Sequence, residues 1–218
     1  MCSLNERSNL KGLYAITDDL LTAGCIAEQV AEALAGGVAV IQYRSKRPDP
    51  KQRLHELQQI QPLCQQASVP LIVNDDIELA LKAGADGVHL GRDDDGIAEA
   101  REILGAEAII GISCYNQFNA AIEAQTAGAD YVAFGRFFAS GTKPEAVQAD
   151  QALLQRAARE LHIPTVAIGG ITPENGGQLV AAGADMLAVV HGIFGQQEVK
   201  RACQHFQQLF EPLERSLP

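Results

Sequence analysis

One phrase recurs four times in the chain: ALAGGVAVIQ (33–42), LKAGADGVHL (81–90), QTAGADYVAF (125–134) and VAAGADMLAV (180–189). Each reads as a helix end, an Ala-Gly pair, and then a short apolar strand. Glycine suits the residue just past a helix, where the backbone often turns to positive φ, and a tight αβ turn lets the strand begin at once. The glycines concerned, Gly36, Gly84, Gly128 and Gly183, are 44 to 55 residues apart, about twice the length of one β/α unit.

The other half of the period is filled by four further apolar runs, LYAIT (13–17), VPLIVN (69–74), AIIGIS (108–113) and IPTVAIGG (163–170). Together they predict eight strands. None alternates cleanly between apolar and polar, as expected of parallel strands buried on both faces. Helical stripes separate them, for example Ile26, Val30 and Leu34, and Val199, Ala202, Phe206 and Leu209. Eight strand–helix alternations predict an α/β fold, a (β/α)8 TIM barrel, with a doubly wound open sheet as the alternative. No linker interrupts the pattern, so residues 1–218 are read as a single catalytic domain with short polar N-terminal and C-terminal tails.

Composition removes several function classes. A hydrophobic fraction of 47% over 218 residues is enough for a sizeable core and argues against disorder. No run reaches the roughly 20 apolar residues of a membrane span, and the polar start MCSLNERSNLKG lacks a secretory h-region, so a cytoplasmic protein is expected. A formal net charge of −10 argues against a nucleic-acid or anionic-membrane partner. Five scattered cysteines (Cys2, Cys25, Cys64, Cys114 and Cys203) with no C-x-x-C read as free thiols, and Cys114 as packing rather than a nucleophile.

A barrel carries its chemistry at the C-terminal ends of its strands, and the polar residues gather there. Strand two runs into Gln42-Tyr43-Arg44-Ser45-Lys46, strand three into Asn74-Asp75-Asp76, and strand four carries His89 with Asp93, Asp94 and Asp95 beyond it. Strand five ends in Ser113, and strand six leads to Ser140-Gly141-Thr142-Lys143. Residues alternating along one strand end share a face, so Gln42, Arg44 and Lys46 are expected together, with Lys143 converging on them. Such cations on an acidic protein point to a ligand rich in phosphate oxygens. Asp75 and Asp94 add two carboxylates, the usual protein share of a magnesium site completed by substrate phosphates. Asp95, and with it Asp93, is better explained as a helix cap. Gly169-Gly170, before a helix starting near Thr172-Pro173, forms a second anion site, completed by Val190, His191 and Gly192. Two phosphorylated small molecules, one a diphosphate held with Mg²⁺, suggest group transfer.

These motifs, QYRSK (42–46), VNDD (73–76), GVHLG (87–91), GIS (111–113), SGTK (140–143) and IGGIT (168–172), stand in the order and spacing of one family. From LYAIT to VVHGIF the chain resembles the thiamine-phosphate synthases, (β/α)8 enzymes that join a hydroxymethylpyrimidine diphosphate to a thiazole phosphate and release pyrophosphate. The resemblance implies Gln42, Tyr43, Arg44, Ser45, Lys46, Asn74, His89, Ser113 and Lys143 around the pyrimidine diphosphate, and Asp75 and Asp94 on Mg²⁺. It implies Ser140, Gly141, Thr142, Gly169, Gly170, Val190 and His191 around the thiazole phosphate. Lys143 is the foremost catalytic residue, with Ser113, Arg44 and Lys46. The chain departs from the family's usual pattern at Arg92, Arg136, Ala139 to Gly141, and His191; the last is read either as a phosphate donor or as a packed strand-end histidine. Three rivals are a thiazole tautomerase, a catalytically silent phosphate binder, and another sugar-phosphate barrel enzyme. None explains Arg44, Lys46, Asp75, Asp94 and Lys143 together. Oligomeric state is left open.

Overall fold

In the computed structural model, which describes residues 10–91, 95–139 and 148–211, the chain forms a closed barrel of eight parallel strands in sequence order. The strands are β1 (Gly12–Ile16), β2 (Val40–Tyr43), β3 (Leu71–Asn74), β4 (Gly87–Leu90), β5 (Ile109–Tyr115), β6 (Tyr131–Gly135), β7 (Thr165–Ile168) and β8 (Met186–Val189). The helices are α1 (Ile26–Ala35), α2 (Pro50–Ala67), α3 (Ile77–Ala83), α4 (Asp95–Leu104), α5 (Phe118–Thr126), α6 (Gln151–Glu160), α7 (Pro173–Ala181), α8 (His191–Phe194) and α9 (Val199–Gln207). Pairing of β1 with β8, Leu13 opposite Leu187, closes the ring and excludes the open-sheet alternative. No described helix is long and apolar enough to cross a membrane.

Both faces of the strands are apolar, which is why the sequence shows no alternation. Leu13, Ala15, Ile41, Leu71 and Val73 face the helices, while Tyr14, Ile16, Val40, Ile72, Tyr131, Val166 and Met186 fill the barrel. Inward positions become polar toward the C-terminal ends. Val40 is followed by Gln42 on β2, and Ile109 by Gly111 and Ser113 on β5.

The repeat has a second function besides building strands. In three of its copies the Asp of Gly-Ala-Asp accepts from the amide of a residue at the start of the preceding odd-numbered strand. Asp86 takes Leu71 N at 2.9 Å, Asp130 takes Ile110 N at 2.8 Å, and Asp185 takes Thr165 N at 2.8 Å. Arg101 of α4 reinforces the middle staple with an ion pair to Asp130 at 2.9 Å. In the first copy Ala39 occupies the corresponding place, its amide bonded to Leu13 O.

Three expectations need correction. Gly84, Gly128 and Gly183 do take positive φ, but Gly36 has φ −86° and its neighbour Gly37 makes the turn at +88°. Gly36 is needed for space instead: a Cβ there would lie 2.8 Å from Lys200 O. On α1 the buried stripe is Ile26, Val30 and Ala33, with Leu34 only half-buried. On α9 it is Val199, Cys203 and Phe206: Cys203 rather than Ala202 faces inward, and Leu209 lies past the helix in a short 3₁₀ turn. Burial raises the Cys203 thiol to about 12, so it packs as a small apolar group. The described cysteines are all free thiols.

Candidate active site

The C-terminal mouth of the barrel opens into a cavity of about 250 Å³. Of the residues singled out from sequence, Gln42, Arg44, Asn74, His89, Ser113, Gly169, Gly170, Val190 and His191 line it. A more open groove lies beside it at the β2–β3 rim, lined by the cations Arg44, Lys46 and Arg53, by Ser45 and Asn74, and by the carboxylates Asp75, Asp76, Glu78 and Glu99. Arg44 and Asn74 line both, so the two spaces adjoin.

The β2 end sorts its residues between these spaces. Gln42 and Arg44 alternate inward. Strand β2 stops at Tyr43, so the alternation does not carry on to Lys46, which is exposed in the rim groove and not in the central cavity. Tyr43 lies on the opposite face. Its hydroxyl donates to Glu56 of α2 at 2.7 Å, and burial with the Glu56 carboxylate beside it pushes the phenol above its ordinary range. The Tyr43 side chain, expected around the pyrimidine diphosphate, thus faces α2 and lines neither space. Glu56 also binds Arg47 at 2.7 Å, and Arg47 reaches Asp19 at 3.5 Å. Arg47 anchors the loop, whereas Arg44 and Lys46 have no carboxylate partner among the described residues. Sequence alone does not separate these three cations. Their distinction comes from where Asp19 and Glu56 sit.

At β3, Asn74 Nδ2 donates to Asp75 Oδ2 at 2.7 Å, and Asp75 N donates to His89 O at 2.9 Å. These bonds hold Asp75 at φ +63°, a left-handed conformation that non-glycine residues adopt at a cost, typically where function requires it. Its carboxylate is exposed at the groove. Asp76 also borders the groove, but its carboxylate is engaged: it caps α3 through Leu79 N and pairs with Arg53 at 3.0 Å. Among the described residues no group of three or more His, Cys, Asp or Glu forms a complete metal cage.

The inner wall carries a continuous polar chain. Gln42 Nε2 donates to Tyr14 Oη at 2.8 Å, Tyr14 Oη meets Tyr131 Oη at 2.7 Å, Tyr131 Oη meets His89 Nδ1 at 3.0 Å, and His89 Nε2 meets Ser113 Oγ at 2.9 Å. Desolvation lowers the His89 pKa to about 4, so the ring is neutral near pH 7. The same burial raises both tyrosines well above their usual range. Sequence reasoning missed Tyr14 and Tyr131 because it treated LYAIT and YVAF as plain apolar runs; a hydroxyl on an inward strand position was the available signal. Gly111 makes the arrangement possible, since a Cβ there would run into the Tyr131 ring. Tyr115 was also missed. It lines the cavity at φ +53°, where the β5–β6 register shifts.

The opposite wall is backbone. Gly169 and Gly170 have φ +106° and +63°, and a Cβ on either would strike the segment 136–139. Asn175 fixes their loop: its Oδ1 accepts from Thr172 N at 2.8 Å and its Nδ2 donates to Gly170 O at 3.0 Å. The Gly170 amide has no partner among the described residues. His191 is exposed on the cavity at the start of α8, which removes the packed strand-end reading. Arg136 also lines the cavity. Arg92, Asp93, Asp94, Ser140, Gly141, Thr142 and Lys143, and the Asp95 side chain, lie outside the described residues.

The mouth thus joins a rim of mixed charge, an uncharged polar wall and a glycine-lined backbone wall. Comparisons with known proteins converge on one family. The family model described as thiamine monophosphate synthase matches residues 13–193. A thiamine-phosphate synthase of Nitrosococcus oceani is 52% identical over 204 residues, covering 93% of this chain and 94% of that protein. One from Thiobacillus denitrificans is 52% identical over 199 residues, covering 91% and 94%. Among solved structures, a thiamine phosphate pyrophosphorylase from Pyrococcus furiosus superposes with TM-score 0.82 at 33% identity, covering 94% and 97%.

Proposed function

The chain belongs to the thiamine monophosphate synthase family, and from that premise we propose how its barrel mouth joins a hydroxymethylpyrimidine diphosphate to a thiazole phosphate, giving thiamine phosphate and pyrophosphate. The observation that carries this assignment is the pair of cations Arg44 and Lys46, which have no carboxylate partner among the described residues, on one groove with Asp75, adjoining the central cavity. A thiazole phosphate alone would not call for that rim. This favours the transferase over a tautomerase.

In this reading the diphosphate lies in the groove against Arg44, Ser45 and Lys46. The pyrimidine ring enters the cavity between Gln42, Asn74 and His89, with Ser113 beside the oxygen that joins the ring's exocyclic carbon to the diphosphate. The thiazole phosphate lies across the cavity on Gly169, Gly170, Val190 and His191, where open backbone amides suit an anion. Ser140, Gly141, Thr142 and Lys143 keep the roles their motif implies, the hydroxyls on the thiazole phosphate and the lysine on the leaving pyrophosphate.

Asp75 fits Mg²⁺: its carboxylate is exposed, oriented by Asn74, and of the hard oxygen type that magnesium prefers. With Asp94 it would hold the ion, the substrate phosphates completing the coordination. When bound, Mg²⁺ neutralises charge on the departing diphosphate.

The reaction breaks the bond between the exocyclic carbon and the diphosphate oxygen. The electron pair leaves with pyrophosphate, and the aminopyrimidine ring delocalises the positive charge. The thiazole nitrogen then donates its pair to that carbon. The chain supplies no covalent nucleophile; Cys114 is buried, with Sγ toward Ile112 O. Its residues stabilise charge, orient the two substrates and exclude water from the cation. Phosphorylated small molecules are its partners, and the reading places the enzyme in the cytoplasm.

Titration calorimetry with inorganic pyrophosphate tests the groove. Binding should require Mg²⁺, weaken roughly tenfold to a hundredfold in Arg44→Ala, as for a lost charged hydrogen bond, and be largely lost in Asp75→Asn at the same Mg²⁺ concentration. Unchanged binding in both variants would move the diphosphate elsewhere.

A further inference from the structure

The chain Gln42–Tyr14–Tyr131–His89–Ser113 contains more information than its contacts. Each buried hydroxyl must give its hydrogen to an acceptor, because an unmade hydrogen bond in the interior is expensive. Tyr14 is 1% exposed and Tyr131 fully buried, so water cannot take up the slack. Among the described residues the partners of Tyr14 Oη are Gln42 Nε2 and Tyr131 Oη. An amide nitrogen only donates, so the Tyr14 hydrogen must go to Tyr131. Tyr131 has then accepted one bond, and its own hydrogen goes to its remaining partner, His89 Nδ1. A neutral imidazole that accepts at Nδ1 carries its proton on Nε2. That proton points at Ser113 Oγ, 2.9 Å away. Ser113 is then an acceptor toward the protein. Its own hydrogen is left for the cavity that it lines.

We propose that Tyr14 and Tyr131 are positioning residues that fix His89 as its Nε2–H tautomer and so aim the Ser113 hydroxyl hydrogen at an oxygen of the bound diphosphate substrate. The last clause rests on the function proposed above; the tautomer does not. The direction of the whole chain is set at one end, by Gln42 presenting Nε2 rather than Oε1 to Tyr14. If the amide were reversed, every bond would reverse. His89 would then hold its proton on Nδ1, and Ser113 would donate to His89 with nothing left for substrate. The two arrangements differ in which imidazole nitrogen bears hydrogen, which is directly measurable. Packing supports a rigid relay: the His89 and Tyr131 rings stack at 5.6 Å with 22° between planes, and Tyr14 meets Tyr131 edge-on at 5.9 Å. Gly111 excludes any side chain from the space that Tyr131 fills.

The test is a long-range ¹H–¹⁵N correlation spectrum of the protein labelled with ¹⁵N-histidine, recorded without substrate near pH 7.5. The His89 signals are identified by their loss in His89→Gln. We expect the Nε2–H tautomer in the unmodified protein, which needs no variant to fold. In Tyr131→Phe, Nδ1 loses its donor, so the tautomer preference should collapse. The kcat should fall roughly tenfold, on the scale of one hydrogen bond, with the KM for the thiazole phosphate unchanged. An Nδ1–H tautomer in the unmodified protein would overturn the proposal, and so would a Tyr131→Phe variant that keeps both tautomer and kcat. Because the spectrum is read on the protein alone, it stands or falls independently of the assigned reaction.

Discussion

Lowering the pH should unfold this protein partly through one histidine. His89 is buried in the barrel mouth with no carboxylate in its hydrogen-bond chain, and its pKa falls to about 4 from an ordinary 6.5. In the unfolded chain it regains the ordinary value. Between these limits the unfolded state binds the extra proton, so stability rises with pH there and is lost as the pH drops. The contribution is complete above pH 6.5 and declines toward pH 4. A difference of about 2.5 units, at 1.36 kcal/mol per unit, gives roughly 3 kcal/mol. Carboxylates elsewhere also respond to acid, so the comparison must isolate this imidazole. His89→Gln keeps a neutral hydrogen-bonding side chain that cannot titrate. Urea unfolding followed by far-UV circular dichroism at pH 7 and pH 4 gives the stability of each protein. The unmodified protein should lose about 3 kcal/mol more than the variant across that interval. Parallel losses would refute the reasoning, because they would mean that His89 protonates in place at little cost.

Gly111→Ala should destabilise by about 1–3 kcal/mol, the usual cost of overpacking, and weaken activity by displacing Tyr131; thermal melts and steady-state kinetics read both effects. Asp130→Ala removes both the cap on Ile110 N and the Arg101 pair, and should cost about 2–3 kcal/mol in denaturant unfolding while leaving KM values unchanged, since it lies at the far end of the barrel. Arg47→Ala should release the loop after β2 from Asp19 and Glu56. A rise in the KM for the diphosphate substrate without loss of folding is the expected result.

Much of this was legible in the residues. Eight apolar runs spaced by glycine turns specify a barrel, because parallel strands need crossover helices and both faces buried. The site positions at strand ends followed from the same register. What stayed hidden depends on tertiary neighbours. Nothing local distinguishes Arg44 from Arg47; only the placement of Asp19 and Glu56 does. Tyr43 sits inside a ligand-like motif yet faces α2, because β2 ends there and alternation turns it outward. Gly36 and Gly37 are adjacent, and which one takes positive φ is settled by α9 packing against the turn. The inward tyrosines were hidden by their own strand propensity, since a β-rich run accepts Tyr as readily as Val.

If this mouth joins two phosphorylated molecules, the reaction itself can be assayed. The direct measurement is to incubate the protein with the pyrimidine diphosphate, the thiazole phosphate and Mg²⁺, with an EDTA control, and to quantify thiamine phosphate and pyrophosphate together. Both products should appear in equal amounts, and neither with EDTA. Conversion of the thiazole phosphate without pyrophosphate, or its binding with no reaction, would show that the mouth does not carry out this transfer.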